Sequence, residues 1–253
     1  MQKVVFNLSG KAALVTGANT GLGQGMATAL AKAGADICLI GRSEPRETLA
    51  RLAETGVKTH SILTDLGSAD NVSDIIDEAV ATLGRADILV NNAGIIKRNE
   101  AIDFTHAEWD AVMNVNLRTL FFLSQAFAKH AVSKKQSGKI INIASMLTFQ
   151  GGIRVPSYTA SKSAVGGLTK ALANEWAKHG INVNAIAPGY FATNNTAALQ
   201  ADEQRNKEIL GRIPSGRWGH PDDMGGAVVF LASAASDYVQ GITLPVDGGW
   251  LSR

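Results

Sequence analysis

The sequence has one cysteine, no long apolar run and no run of one charge, and each absence removes a class of protein. Cys38 stands alone inside the apolar stretch Ile37-Cys38-Leu39-Ile40. A single thiol there reads as packing, so neither a disulfide framework nor a cysteine-bound metal is expected. No stretch approaches the roughly 18 apolar residues of a membrane span, and the opening MQKVVFNLSGK lacks the apolar core of a secretory signal. A cytoplasmic protein with no membrane partner is the expectation. The 24 Lys and Arg against 22 Asp and Glu are scattered along the whole chain, so no basic patch offers itself to nucleic acid. No repeat, low-complexity tract or linker interrupts the 253 residues, which points to one domain over 1–253.

What is present alternates. Short apolar runs at Ala12–Val15, Ile37–Ile40, Thr59–Leu63, Ile88–Val90, Lys139–Ile143, Asn182–Ile186 and Gly241–Val246 read as strands. Helical periodicity fills the gaps, over Gly21–Ala33, around Leu49 and Leu52, over Asn71–Leu83, Ala107–Lys129 and Tyr158–Lys178. Apolar strands without alternation, separated by amphipathic helices, predict a parallel sheet covered on both faces. With right-handed crossovers this is an α/β doubly wound Rossmann fold of about seven strands.

Between the first strand and first helix stands Thr16-Gly-Ala-Asn-Thr-Gly-Leu-Gly23, with glycines at 17, 21 and 23. Glycines let the backbone turn tightly beside a pyrophosphate, and the helix N-terminus offers unpaired N–H groups to it. A glycine-rich turn with no ligand is the bland alternative. In such sheets, however, ligands sit at the carboxyl ends of the strands. Those ends carry Asp65-Leu66, Asn91-Asn92-Ala93-Gly94, Ala144-Ser145 and Pro188-Gly189, all small or polar.

Tyr158 and Lys162 are four apart, which places both on one helix face a turn apart. A phenol with a pKa of about 10 is a poor base near neutrality, and a nearby ammonium favours its phenolate. Ser145 can donate a hydrogen bond to a substrate oxygen while a cofactor handles the hydride. Taken singly, a Tyr-x-x-x-Lys pair and a serine after a strand are both commonplace.

In combination they are not. TGANTGLG, Asp65, NNAG at 91–94, Asn116, Ser145, Tyr158-Thr-Ala-Ser-Lys162 and Pro188-Gly189 resemble the short-chain dehydrogenase/reductase family, in order and over essentially the whole chain. The resemblance implies that Tyr158 is the general acid/base, that Lys162 lowers its pKa and binds the nicotinamide ribose, and that Ser145 orients the substrate. Asn116 would position a water for proton relay. Gly17, Gly21 and Gly23 would accommodate the pyrophosphate and Asp65 the adenine, with Asn19, Thr20, Leu22 and Leu66 alongside. Asn92, Ala93 and Gly94 would pass along the cofactor, and Pro188, Gly189 and Thr193 would flank the nicotinamide.

The cofactor is NAD(H) or NADP(H). The second strand ends Ile40-Gly41-Arg42-Ser43-Glu44, so the carboxylate that would hold a ribose 2′-OH is missing at Gly41. Arg42 is placed to pair with a 2′-phosphate, which tilts to NADP(H). Glu44 and the nearest family resemblance point to NAD(H).

Longer segments, over 19–26, 140–163, 174–195 and the closing VDGGWLSR, resemble the family's sugar-acid dehydrogenases. They imply hydroxyl–ketone interconversion on a small sugar acid in pectin and uronate catabolism. Arg98, after NNAG, and Arg154, four before Tyr158, are candidates for the carboxylate. Tyr190, Phe191 and Trp218 are expected to shape the pocket, under a polar, helical lid from Thr193 to about Pro214. A 3-oxoacyl carrier-protein reductase and a non-catalytic nucleotide-binding scaffold are the rival readings. The helices 107–129 and 158–178 and the last strand are the expected contact surfaces of a homotetramer.

Overall fold

The computed structural model describes residues 5–68 and 72–253. Seven strands are formed: β1 (Ala12–Thr16), β2 (Asp36–Gly41), β3 (Thr59–Leu63), β4 (Ile88–Asn91), β5 (Gly138–Ile143), β6 (Ile181–Pro188) and β7 (Thr243–Val246). They lie parallel in one sheet of order β3-β2-β1-β4-β5-β6-β7. This is the expected doubly wound architecture.

Successive residues of a strand face opposite sides of a sheet, and here both sides are buried. Ala13 and Val15 of β1 join Ile37, Leu39 and Val90 on one face, under α1 (Gly21–Lys32) and α9 (Gly225–Ala232) through Met26, Leu30, Val228 and Leu231. Ala12 and Leu14 join Cys38, Ile40 and Leu89 on the other. That face is covered by α3 (Val72–Leu83), α5 (Leu120–Ser133) and α6 (Pro156–Trp176), through Ile76, Leu123, Phe127 and Leu172. The continuous apolar runs of the inner strands thus lie between two helical layers, whereas the edge strands β3 and β7 are only partly covered.

Two helices differ from expectation, and one expected boundary lies outside the described residues. The helix read from Asn71 begins among the described residues at Val72; Asn71 itself lies outside them. The helix expected over 107–129 is three segments: α4 (His106–Met113), a π-helical stretch Asn114–Thr119, and α5. Apolar periodicity cannot distinguish a π stretch from the helix around it, and such stretches concentrate at functional sites. The helix expected from Tyr158 starts two residues earlier, because Pro156 takes the first turn, where no N–H is needed. Among the described residues, no helix is long and apolar enough to cross a membrane.

The strand order reverses between β1 and β4. Their carboxyl ends carry the glycine turn and NNAG.

Candidate active site

A cavity of about 1200 Å³ opens at that reversal. Its wall contains every residue expected to hold the cofactor: Gly17, Asn19, Thr20, Gly21, Leu22, Gly23, Arg42, Asp65, Leu66, Asn92, Ala93, Gly94, Tyr158, Lys162, Pro188, Gly189 and Thr193. Ser145, Arg98, Tyr190 and Phe191 line it as well.

The turn before α1 is built to present backbone. Gly17 has φ +63°, and a Cβ on Gly23 would lie 2.2 Å from the Gly17 carbonyl oxygen, so neither position admits a side chain. Asn92 locks the turn by donating to the carbonyls of Thr16 (2.9 Å) and Gly17 (3.1 Å). Its amide is therefore spent on the turn, and its place in the wall follows from that. The Thr16 hydroxyl accepts from the N–H groups of Asn92 and Ala93, both at 2.9 Å. Thr20 makes no side-chain cap on α1, and no acidic residue stands in its first turn. Uncapped amides at a helix N-terminus form an anion site, and the cradle fits a dinucleotide's pyrophosphate.

At the adenosine end, Gly41, Arg42 and Ser43 line the cavity, and Asn19 donates to Ser43 Oγ at 2.8 Å. A Cβ on Gly41 would meet open space within 4 Å.

At the other end, Ser145 stands two residues after β5 and opens a short 3-10 helix, Met146–Thr148. Its hydroxyl accepts from Leu147 N–H at 3.2 Å, which leaves its proton to donate. Thr148 ties this turn to α6, accepting from Ser145 N–H at 3.4 Å and donating to the Lys162 carbonyl at 2.8 Å. Tyr158 and Lys162 stand one turn apart on α6, as expected. The Lys162 ammonium is buried, donates to the Ile143 carbonyl at 2.6 Å, and is brought down to about 8 by burial.

The expected lowering of the Tyr158 pKa by Lys162 is not what the geometry gives. The ring keeps an accessible edge on the cavity, but protein atoms crowd the phenol and desolvation holds it above its ordinary value. Hydrogen bonding with Ser145 and the charge of Arg98 pull it the other way. Lys162 is committed to Ile143, and its nitrogen lies 5.7 Å from the Tyr158 ring centroid.

Asn116 lies in the π-helical stretch, fully buried, and its side chain does not reach the cavity. Its oxygen accepts from Ile95 N–H (2.9 Å), and its amide donates to the Ile95 carbonyl (3.0 Å) and Ser161 Oγ (3.2 Å). The side chain braces the loop after NNAG against α6.

Of the two arginines expected to meet a carboxylate, only Arg98 lines the cavity. Arg154 has φ +64°, which turns the chain away, and its guanidinium pairs with Glu100 at 2.9 Å. Trp218 also stands outside the wall. It packs edge-on against Tyr190 at 5.5 Å and donates to Asn206, so it shapes the pocket through Tyr190. The segment expected to form a lid is helical: a 3-10 turn Asn194–Thr196, then α7 (Ala197–Ala201) and α8 (Glu203–Arg212). Unforeseen wall residues come from α8 and the C-terminus: Arg205, Glu208, Ile209, Arg212 and Trp250. Within VDGGWLSR the local signal is a tryptophan after two glycines.

Comparison with known proteins agrees with this geometry. A family model described as Enoyl-(Acyl carrier protein) reductase matches residues 17–251. The chain is similar to the 2-dehydro-3-deoxy-D-gluconate 5-dehydrogenase of Escherichia coli (strain K12), at 61% identity over 248 residues and 98% of each chain. It is similar to a solved structure from Agrobacterium tumefaciens with bound NADP, described as a candidate 2-deoxy-D-gluconate 3-dehydrogenase. That likeness has 58% identity and a TM-score of 0.93, covering 99% of this chain and 100% of that one. A gluconate 5-dehydrogenase from Burkholderia cenocepacia J2315, in complex with NADP and tartrate, is 42% identical with a TM-score of 0.93 over 98% of each chain.

Proposed function

The chain belongs to the short-chain dehydrogenase/reductase family of oxidoreductases, and from that premise we propose that it is a 2-dehydro-3-deoxy-D-gluconate 5-dehydrogenase using NADP(H). The observation that carries the substrate is the 61% identity over 98% of both chains to a relative of that name. Reduction of the diketo acid derived from unsaturated uronates, in the cytoplasm, is the physiological direction.

The cofactor, bound along the cavity, supplies or accepts the hydride. In reduction, the Ser145 hydroxyl and the Tyr158 phenol both donate to the ketone oxygen, and Tyr158 gives up its proton as the carbon is reduced. In oxidation the phenolate takes that proton back. Lys162 would hold the nicotinamide ribose, while Ser145 and the charge of Arg98 favour the phenolate. Asn116 keeps the π-helical stretch and the loop after NNAG against α6.

Arg42 and Ser43 at the end of β2 support NADP(H), since a guanidinium pairs bidentately with a 2′-phosphate and no carboxylate opposes it at Gly41. The NADP bound in the similar Agrobacterium tumefaciens structure supports the same choice. Exposed Trp109 and Phe122 beside the π stretch, and Tyr238 and Ile242 before β7, support a homotetramer, which light scattering of the purified protein tests.

The deciding experiment follows nicotinamide absorbance with 2-dehydro-3-deoxy-D-gluconate, D-gluconate, 5-keto-D-gluconate and a 3-oxoacyl thioester, each with both cofactors. Turnover is expected to be fastest with 2-dehydro-3-deoxy-D-gluconate and NADP(H). A thioester turned over in preference to every sugar acid overturns the substrate.

A further inference from the structure

A sugar acid presents a carboxylate as well as hydroxyls, and the cavity needs a cation for it away from the reacting oxygen. Three arginines face the cavity at this end, and they are not equivalent. Arg98 donates to the Asn195 carbonyl at 3.3 Å, and its charge acts on the Tyr158 phenol, so it stands beside the reaction. Arg205 is paired with Glu208 at 2.7 Å. Arg212, in the last turn of α8, lies over the ring of Trp250 with its central carbon 4.1 Å from the centroid. Among the described residues, no hydrogen bond or ion pair engages its guanidinium.

The ring beneath it is fixed. Trp250 is buried, donates through its indole nitrogen to Gln150 at 3.3 Å and packs edge-on against Tyr190 at 4.8 Å. Asp247 caps the turn that carries it, accepting from the N–H groups of Gly249 and Leu251, both at 2.9 Å. Stacking on an aromatic face orients the guanidinium plane without using its N–H donors. An oriented, uncommitted fork at a cavity wall is what bidentate capture of a carboxylate requires.

We propose that Arg212, held over Trp250, is the specificity-determining residue that binds the substrate carboxylate, resting on the sugar-acid reading above. The contact joins α8 to the C-terminal turn, so the substrate's charge is read by the lid while Ser145 and Tyr158 hold the reacting oxygen.

The test compares kcat/KM for 2-dehydro-3-deoxy-D-gluconate with that for its carboxamide, which keeps the shape and removes the charge. Arg212→Gln is expected to lower the value for the acid by ~10- to 100-fold, mostly through KM, the loss of one charge-assisted pair. The carboxamide value is expected to stay within about twofold, because that pair never forms. Equal losses on both substrates would make Arg212 a lid-packing residue and overturn the proposal. No loss on either would do the same. NADPH binding by fluorescence quenching checks that the variant folds. If it fails to bind, Arg212→Lys is read instead: an acid-to-amide ratio below wild type supports the proposal, and a wild-type ratio overturns it. A wild-type protein that turns over no sugar acid overturns the substrate reading itself, and this inference with it.

Discussion

The Lys162 ammonium donates to the Ile143 carbonyl at 2.6 Å, and both residues are buried at the floor of the cavity. Burial brings Lys162 from 10.5 to about 8. From pH 8 to 10.5 the unfolded chain holds a proton that the folded chain has released. Stability from this group therefore rises with pH across that window, and is lost as pH falls through about 8. At pH 7 the folded protein bears the full cost of a buried cation, on the order of 3 kcal/mol, partly offset by the Ile143 bond. Lys162→Met is expected to abolish turnover yet raise the unfolding free energy at pH 7 by about 1–2 kcal/mol. That advantage is expected to vanish by pH 10.5. Urea unfolding of both proteins at pH 7 and pH 10.5 checks it, and an advantage that persists at the higher pH refutes the account.

Tyr158 is pushed above its ordinary value by desolvation and pulled back by Ser145 and Arg98. Removing the Arg98 charge leaves the first effect less opposed, so the phenol of Arg98→Gln moves higher. The phenolate is the base for alcohol oxidation. Hence the rising limb of kcat/KM against pH in that direction is expected to shift to the alkaline side. Profiles at low ionic strength, where screening is least, provide the measurement. A limb that stays in place would mean that Arg98 does not act on the phenol through its charge.

The glycine turn, NNAG and the strand ends were legible because each is a short backbone device whose chemistry depends on neighbours in sequence. Tyr158 and Lys162 were legible through helix spacing. Arg154 misled for the same reason: nearness to Tyr158 suggested a shared cavity, but its φ of +64° and the Glu100 pair take it elsewhere. Arg212 and Trp250 meet from segments some 40 residues apart, and Trp250 is anchored by Gln150, 100 residues away. No local period encodes such meetings. The π-helical stretch around Asn116 is not legible in the sequence, because its apolar spacing continues that of the helices on either side.

Cofactor preference is expected to turn on the end of β2. Arg42→Ala removes the cation beside a 2′-phosphate and should raise KM for NADPH by roughly 10- to 100-fold, with little change for NADH. Gly41→Asp adds a carboxylate where a Cβ meets nothing within 4 Å, so it should fold normally and repel the 2′-phosphate. Its preference is expected to reverse toward NADH. Steady-state kinetics with each cofactor settle both, and an Arg42→Ala protein with unchanged KM for NADPH refutes the phosphate pairing.

Thr16 is the hidden support of the site. Its hydroxyl is buried, accepts from Asn92 and Ala93 N–H at 2.9 Å, and donates to the Val90 carbonyl at 3.3 Å. It thereby joins the ends of β1 and β4 at the point where the strand order reverses. Thr16→Val keeps the shape but leaves the half-buried Ala93 N–H without an acceptor, at about 1–3 kcal/mol, while the Asn92 N–H retains the Val90 carbonyl at 3.1 Å. Thr16→Ser keeps the oxygen and loses one methyl, about 1 kcal/mol. Valine is therefore expected to destabilise by roughly 2–3 kcal/mol and serine by about 1. Because the same bonds hold NNAG against the glycine turn, valine should also weaken NADPH binding in whatever protein remains folded, whereas serine should not. Urea midpoints and NADPH titrations of the two variants measure this. A valine protein as stable as the serine one would show that the hydroxyl carries no such load.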